Sequence, residues 1–116
     1  MIRDEIEISN GIGLQSRAAA IFVQIANKFK SRVSIEINNK KVDAKSILGL
    51  MAMGIYDGAK VDLTVSGEDE QEAFEYLKNF LCEEFDEQKY LDILESMPNH
   101  NDDVNETIDD KTEDSL

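Results

Sequence analysis

Short stretches in which apolar and polar residues alternate recur along the chain. The clearest are Ile6-Glu7-Ile8, Val33 to Ile37 and Lys60 to Val65. Lys40 to Val42 can return as a further strand after the turn-forming pair Asn38-Asn39. A period of two predicts strands that bury one face only. We therefore predict four strands of an antiparallel sheet, with one face covered and the other in water.

Two longer segments carry apolar residues at helical spacing. The inner face of the first helix, which we expect Ser16 to cap, comprises Ala19, Phe22, Val23, Ala26 and Phe29. The inner face of the second helix, for which Asp69 or Glu68 offers a cap, comprises Ala73, Leu77, Phe80 and Leu81. Ile21 and Ile25 lie off the first inner face, so either a loop shelters them or they are partly exposed.

The order of these elements predicts the fold class. With a short apolar helix after Ser46, the chain reads β-α-β-β-α-β-α, which favours an α+β domain in which three helices cover one side of a four-stranded antiparallel sheet. We assign this domain to residues 1–85. Residues 86–98 can form a short amphipathic helix with Tyr90, Leu94 and Met97 on one stripe. Residues 99–116 are polar and acidic, a composition typical of a disordered tail.

Charge is distributed unevenly along the 116 residues. The formal net charge is −13, and residues 86–116 alone hold eleven acidic and two basic side chains. So acidic a chain disfavours direct binding to nucleic acid or to a membrane surface. Seven basic side chains concentrate in residues 12–48, so the early part of the chain can still present a basic face to an acidic partner.

Cys82 and His100 are the one cysteine and the one histidine of the chain. A single cysteine excludes an internal disulfide and suits a reducing compartment, and two isolated ligands do not make a metal site. The N-terminal residues lack the apolar segment of a signal peptide, and no apolar run is long enough to span a bilayer, so we expect a cytoplasmic protein. We find no acid–base pair, no nucleophile beside a base and no glycine-rich nucleotide loop. We therefore predict neither an enzyme nor a bound cofactor.

The segment from Ala44 to Met51 is the most informative part of the chain. A helix that begins after Ser46 places Leu50 and Met53 on one side. The other side is formed by Ile47, Leu48 and Met51. A two-turn helix that is apolar on both sides either lies inside the core or presents apolar surface to a partner. Ser46 can serve simply as the N-cap, or its hydroxyl can accept a phosphate that faces the helix N-terminus.

The start of the first helix is a second candidate site. Gly13 leads towards Arg17 in the first helical turn, an arrangement that favours anions. Gln15 stands at the position that leads into the helix, and a carboxamide neither carries a phosphoryl group nor acts as an acid or base near neutral pH. The segment is therefore suited to phosphate without containing a residue that reacts with it.

Several motifs together resemble the HPr family, the small phosphocarrier proteins of the bacterial sugar phosphotransferase system. They are Gly13-Leu14, Arg17 with Ala19, Phe22-Val23-Gln24, Lys45 to Met51 and Gly67 to Ala73, in the order and at the spacing of the family. The resemblance covers residues 1 to about 85 and implies the open-faced β-sandwich of that family, in agreement with the element order. Where a phosphocarrier has its active histidine this chain has Gln15, and Ala18 replaces the proline of the family motif.

A glutamine at this position beside an intact Ser46 segment resembles the catabolite-repression branch of the family in Gram-positive bacteria. The resemblance implies a regulator whose Ser46 is phosphorylated by an HPr kinase/phosphorylase, and which then acts as corepressor for a LacI-type catabolite control protein. It also implies a partner-binding surface that comprises Gln15, Arg17, Ala20, Ile21, Lys45, Ile47, Leu48 and Met51.

Two alternative functions stay open at this point. The same surface would serve a binding module that modulates a metabolic enzyme. A phosphocarrier of the sugar phosphotransferase system would need a phosphorylatable residue near Arg17, where Ser16 is the one available. The oligomeric state is open as well, because a sheet edge of this kind can pair or swap between two copies.

Overall fold

A computed structural model describes residues 1–97, in which four antiparallel strands form one sheet. The strands are β1 (Ile2–Glu7), β2 (Arg32–Ile37), β3 (Lys40–Asp43) and β4 (Lys60–Ser66). The helices are α1 (Ser16–Ala26), α2 (Ile47–Met53), α3 (Glu70–Cys82) and α4 (Glu87–Ser96). The predicted α+β architecture is therefore confirmed, and α4 lies within the segment 86–98, for which the sequence predicts a possible short amphipathic helix.

The sheet has the strand order β1-β4-β2-β3, so β4 lies between the two strands that it pairs with. Val65 pairs with Ile2 of β1 and Val33 of β2. Asn38 and Asn39 connect β2 to β3 with φ angles of 52° and 65°, as the predicted two-residue turn requires. Because side chains alternate across a strand, this register collects the apolar residues of β2 and β4 on the face that the helices cover.

The core lies between that sheet face and the helices. The side chains of Phe22, Phe29, Phe80, Leu50 and Leu63 are fully buried there. Tyr90, Leu94 and Met97 of the α4 region belong to the same core, so this region packs onto the domain rather than extending from it. Ile21 and Ile25, left undecided by periodicity, are both buried.

The starts of α1 and α3 differ from the N-caps that the sequence predicts. Helix α1 begins with Ser16, whose φ is 52°, and Gln15 takes the N-cap position without a side-chain cap bond. The reason is that the backbone N–H of Leu14 donates to the carbonyl of Ile55 over 2.9 Å, which fixes the chain immediately before the helix. The expectation that Ser16 caps α1 was therefore wrong.

Asp69 occupies the N-cap position of α3, but its carboxylate points to another segment. It accepts hydrogen bonds of 2.9 Å from the backbone N–H groups of Lys30 and Ser31, and a further bond from the Ser31 hydroxyl. Partial burial alone would raise the pKa of Asp69, but these hydrogen bonds outweigh it and hold the pKa below its ordinary value. Asp69 thus joins the start of α3 to the chain that follows α1.

Two expectations concern residues outside the described part of the chain: the disordered tail at 99–116 and the end of the 86–98 segment. Within residues 1–97, no helix has the length and apolar character needed to cross a bilayer. Nor do the side chains of residues 1–97 bring three potential metal ligands together.

Candidate functional site

Ser46 lies at the start of α2 in the N-cap geometry that the sequence predicts. Its φ and ψ are −108° and 113°, and its Oγ accepts a hydrogen bond of 3.1 Å from the backbone N–H of Gly49. Its own N–H donates to the carbonyl of Asp43 over 3.0 Å, which closes the turn between β3 and α2. The Ser46 side chain is half-buried, so its hydroxyl is held at a defined position near the protein surface.

Helix α2 exposes an apolar face next to Ser46. Leu50 is fully buried, whereas Leu48 and Met51 keep 78% and 50% of their surface exposed. Ile47 is half-buried between these two environments. Gly54 ends the helix in the left-handed conformation with a φ of 60°, so α2 has just two turns. The predicted division of α2 into a core side and a surface side is therefore confirmed.

Gln15 lies at the opposite end of α2. Its side-chain amide donates to the carbonyl of Ile55 over 3.4 Å, and the rest of the side chain is exposed. Asn27, just after α1, donates to the carbonyl of Lys45 over 3.3 Å. The start of α1 thus lies near the end of α2, and the end of α1 lies near the start of α2. The two helices pack side by side in opposite directions.

This arrangement brings most of the predicted partner-binding residues onto one surface. We call it the α1–α2 surface and define it by Gln15, Arg17, Ala20, Ser46, Ile47, Leu48 and Met51. Their side chains are exposed or half-buried. At one end of the surface lies Gln15, which cannot carry a phosphoryl group, and at the other end lies the hydroxyl of Ser46.

The sequence predicts Ile21 as a partner contact, but its side chain is not accessible in this structure. Just 4% of its surface is exposed, and it belongs to the hydrophobic core. Helix α4 packs against α1 on this side: Glu87 of α4 pairs with Arg17, and Gln88 of α4 lines a groove with Gln24. Ile21 lies between Arg17 and Gln24 on the same helical stripe. Arg17, one turn earlier on α1, stays exposed but forms an ion pair with Glu87 in the first turn of α4.

Lys45 is also engaged inside the domain. Its ammonium donates a hydrogen bond of 2.7 Å to the carbonyl of Phe29. Burial lowers the pKa of Lys45, and the carboxylates of Asp43 and Asp69 oppose that effect in part. We therefore expect Lys45 to position the Ser46 turn, with its role as a partner contact still a prediction.

Asn10 is a residue of this site that the sequence interpretation missed. It is almost completely buried, and its Oδ1 accepts hydrogen bonds from the N–H groups of Ile12 and Gly13 over 3.0 and 2.7 Å. Its amide nitrogen donates to the carbonyls of Gly13 and Phe80. Asn10 thereby fixes the loop that leads to Gln15. The dipeptide Asn10-Gly11 is a strong turn signal and could have identified this loop.

Comparison with known proteins places these features in a family. The family model described as "PTS HPr component phosphorylation site" matches residues 2–83. The chain is 49% identical over 84 residues to the HPr-like protein Crh of Bacillus subtilis, an alignment that covers 72% of this chain and 99% of that protein.

Solved structures give the same result. The structure of HPr from Thermoanaerobacter tengcongensis superposes with a TM-score of 0.67 at 47% identity, and covers 70% of this chain and 91% of that one. A crystal structure of Bacillus subtilis Crh, described as a dimer with a swapped domain, gives a TM-score of 0.56 at 48% identity, with 70% and 93% coverage.

Proposed function

The chain belongs to the HPr family, and on that premise we propose that it is a regulator rather than a phosphocarrier. An HPr kinase/phosphorylase phosphorylates Ser46, and the phosphorylated protein then binds a LacI-type catabolite control protein as its corepressor. The observation that carries this proposal is that Gln15 and Ser46 lie at opposite ends of the same α1–α2 surface. The Gln15 side chain cannot accept a phosphoryl group, whereas the hydroxyl of Ser46 can.

The chemistry at position 15 argues against a carrier. A phosphocarrier needs a nucleophilic nitrogen that forms and breaks a bond to phosphorus, and the imidazole of histidine provides one. The carboxamide nitrogen of Gln15 has its lone pair delocalised into the carbonyl group, so it is not a comparable nucleophile. Gln15 therefore acts as a neutral contact residue.

The surroundings of Ser46 support a switch that a partner can read. Phosphorylation adds nearly two negative charges and three strong acceptors beside the exposed side chains of Leu48 and Met51. Basic residues of a partner can pair with the phosphate, while an apolar pocket receives the two side chains. A charge-assisted hydrogen bond contributes about 1.5–3 kcal/mol, so two such bonds raise affinity by roughly a hundredfold or more.

Kinase labelling and a binding titration test the proposal. We expect ATP and the kinase to add one phosphate to the full chain at Ser46, and the product to bind the regulator about a hundredfold more tightly than the unmodified chain. Mass spectrometry locates the phosphate, and calorimetry measures the affinity. Phosphoenolpyruvate with the general phosphotransferase enzyme serves as the negative donor, because Gln15 cannot accept its phosphoryl group.

The control variants separate phosphorylation from folding. Ser46→Asn keeps a good N-cap residue and removes the hydroxyl, so it should stay folded, unlabelled and weakly bound. Ser34→Ala removes a serine hydroxyl from β2 and should behave as the wild type. Leu48→Ala should weaken binding of the phosphorylated chain. The proposal fails if labelling spares Ser46, or if the phosphorylated and Ser46→Asn chains bind the regulator equally well.

A further inference from the structure

Helix α4 covers one side of α1, and we infer that it is a built-in cover that must leave before a regulator can occupy the whole partner-binding face. The inference rests on the proposed function, because it concerns the regulation of the same surface. Binding would then depend on two things: the phosphate at Ser46, and the departure of α4, which competes with the regulator for the surface of α1. The uncovered form, rather than the form with α4 docked, is the one that binds fully.

The residues of α1 fall on two stripes that face different neighbours. Arg17, Ile21 and Gln24 follow one another at spacings of four and three residues, so they share one stripe. Ala20 and Asn27 share the next stripe, and Asn27 is bonded to Lys45 beside α2. Helix α4 lies along the first stripe and α2 along the second. A partner can therefore contact α1 only where these two helices leave its surface exposed.

Residues of the first stripe contact α4 or lie beside it. The Arg17 side chain keeps 75% of its surface exposed, but its guanidinium is paired with Glu87, so an acidic partner group would have to replace that carboxylate. The side chain of Ile21 keeps 4% of its surface exposed. Gln24 and Lys28 of α1 line a groove with Gln88 and Leu91 of α4. A partner that approaches Ile21 meets α4 first, whereas Arg17 and Gln24 stay exposed beside α4.

The half of the surface formed by α2 is open by contrast. Leu48 and Met51 are exposed over half or more of their surface. Ser46 has a half-buried hydroxyl whose partner within the chain is the backbone N–H of Gly49. The surface therefore has an open half, which carries Ser46, and a half beside α4, which holds the predicted partner contacts Arg17 and Ile21.

The cover lies outside the part of the chain that the family shares. The family model ends at residue 83, and α4 begins at Glu87. The aligned 84 residues make up 99% of the Bacillus subtilis Crh chain. A domain of this family therefore forms without a counterpart of α4. In such a domain, the stripe that holds Arg17 and Ile21 has no α4 to cover it.

The attachment of α4 rests on a small number of side chains. Tyr90, Leu94 and Met97 are buried, and the Tyr90 ring lies 4.7 Å from the ring of Phe80 between centroids. A helix of ten residues is not stable alone in water, so α4 depends on this contact for its order. An element with few anchors opens more readily than the core does. The apparent affinity of a partner is then reduced in proportion to the fraction of molecules that are open.

Variants on the inner and outer faces of α4 test the inference in the full chain. Tyr90→Ala combined with Leu94→Ala should release α4. After phosphorylation at Ser46, this variant should bind the regulator about tenfold more tightly than the phosphorylated wild type. The control is Ser96→Ala, which changes an exposed residue of the same helix outside the α1–α4 groove and should leave the affinity unchanged. Phosphate content is measured first, so that samples are compared at equal modification.

A cross-linked form, in which α4 is held on α1, tests the inference independently in case the released variant fails to fold. Gln24→Cys and Leu91→Cys in a Cys82→Ser background place two thiols across the α1–α4 groove, where a short bismaleimide can join them. The joined protein should bind the regulator at least about tenfold more weakly than the same protein before joining. Hydrogen exchange of the α1 and α4 amides reports independently whether each variant has α4 docked.

The outcomes distinguish this inference from the proposed function. If phosphorylation raises affinity in all variants but release and locking do not change it, the cover is overturned and the proposed function stands. If release weakens binding, α4 is part of the partner interface and the cover is likewise overturned. If no variant binds the regulator after phosphorylation, the proposed function fails. Tighter binding on release and weaker binding on locking support the cover.

Discussion

Gly13 occupies a position at which a side chain has no room. A Cβ atom there would lie 2.6 Å from the carbonyl oxygen of Ile55 and 2.8 Å from the Cα of Tyr56, and the φ of Gly13 is +73°. This close approach joins the loop before α1 to the segment after α2. The identity of one residue therefore decides how Gln15 is placed against the end of α2.

Gly13→Ala should lower the free energy of unfolding by about 2–4 kcal/mol, because it adds a left-handed alanine and a backbone clash. Gly58→Ala is the matched control, since Gly58 also has a positive φ of +95° but has no atom within 4 Å of the added Cβ. That variant should lose about 1–2 kcal/mol. Urea denaturation measures both losses. Equal losses would contradict a steric role for the contact with Ile55.

Helix α4 shows how a marginal element is held in place at the scale of secondary structure. The Asp86 carboxylate caps its start by accepting a hydrogen bond of 3.2 Å from the N–H of Lys89. The phenol of Tyr90 lies 3.4 Å from the carboxylate of Glu83. Burial and the nearby charges of Glu83 and Asp86 raise the pKa of Tyr90 to about 12. The folded protein therefore favours the neutral form of Tyr90.

An alkaline titration tests whether ionisation of Tyr90 destabilises the fold. The pKa of Tyr90 is higher in the folded state than its ordinary value of 10.0, so the stabilisation is complete below about pH 10 and is lost as pH rises towards about 12. Thermal unfolding should show a lower midpoint at pH 11 than at pH 9. The decrease should be smaller in Tyr90→Phe, which keeps the ring and cannot ionise. An equal decrease in both proteins would exclude Tyr90 as the cause.

At the scale of the whole molecule, the chain joins a family domain to an additional helix that shares its core. The ring of Phe80 in α3 contacts Phe22 of α1, Phe85 and Tyr90, with centroids 4.7–5.6 Å apart. The backbone N–H of Phe85 donates to the carbonyl of Asn10 over 3.0 Å. The same contacts that stabilise the fold therefore place α4 beside α1, and under the inference above they would couple stability to access to the proposed partner-binding face.

Two truncations separate these effects. Removal of residues 86–116 should lower the thermal midpoint by several degrees, since about 1 kcal/mol corresponds to roughly 4–8 °C in a domain of this size. The same truncation should increase regulator binding after phosphorylation. Removal of residues 98–116 keeps every described core residue and should change neither property. A midpoint that is unaffected by the longer truncation would show that α4 contributes nothing to stability.

The sequence by itself determined the local elements and the chemistry of the two ends of the surface. Alternation and helical spacing depend on the geometry of a single segment, so they predicted four strands, α1–α3 and the division of α2 between Leu50 and Leu48. Alternation from Ile6 located just the end of β1, which begins at Ile2. The N-cap role of Ser46 was predictable for the same reason. The motifs around Gln15 and Ser46 sufficed to identify the family, because they lie within short stretches of the chain.

Tertiary structure alone decided which of these residues stay accessible. The pairing of Arg17 with Glu87 joins residues 70 positions apart, and Ile21 is buried by a helix whose own pattern does not reveal where it packs. The carboxylate of Asp69 likewise serves Lys30 and Ser31 instead of its own helix. Periodicity records which face of a segment avoids water, but the partner that covers that face is fixed by contacts between segments distant in the chain.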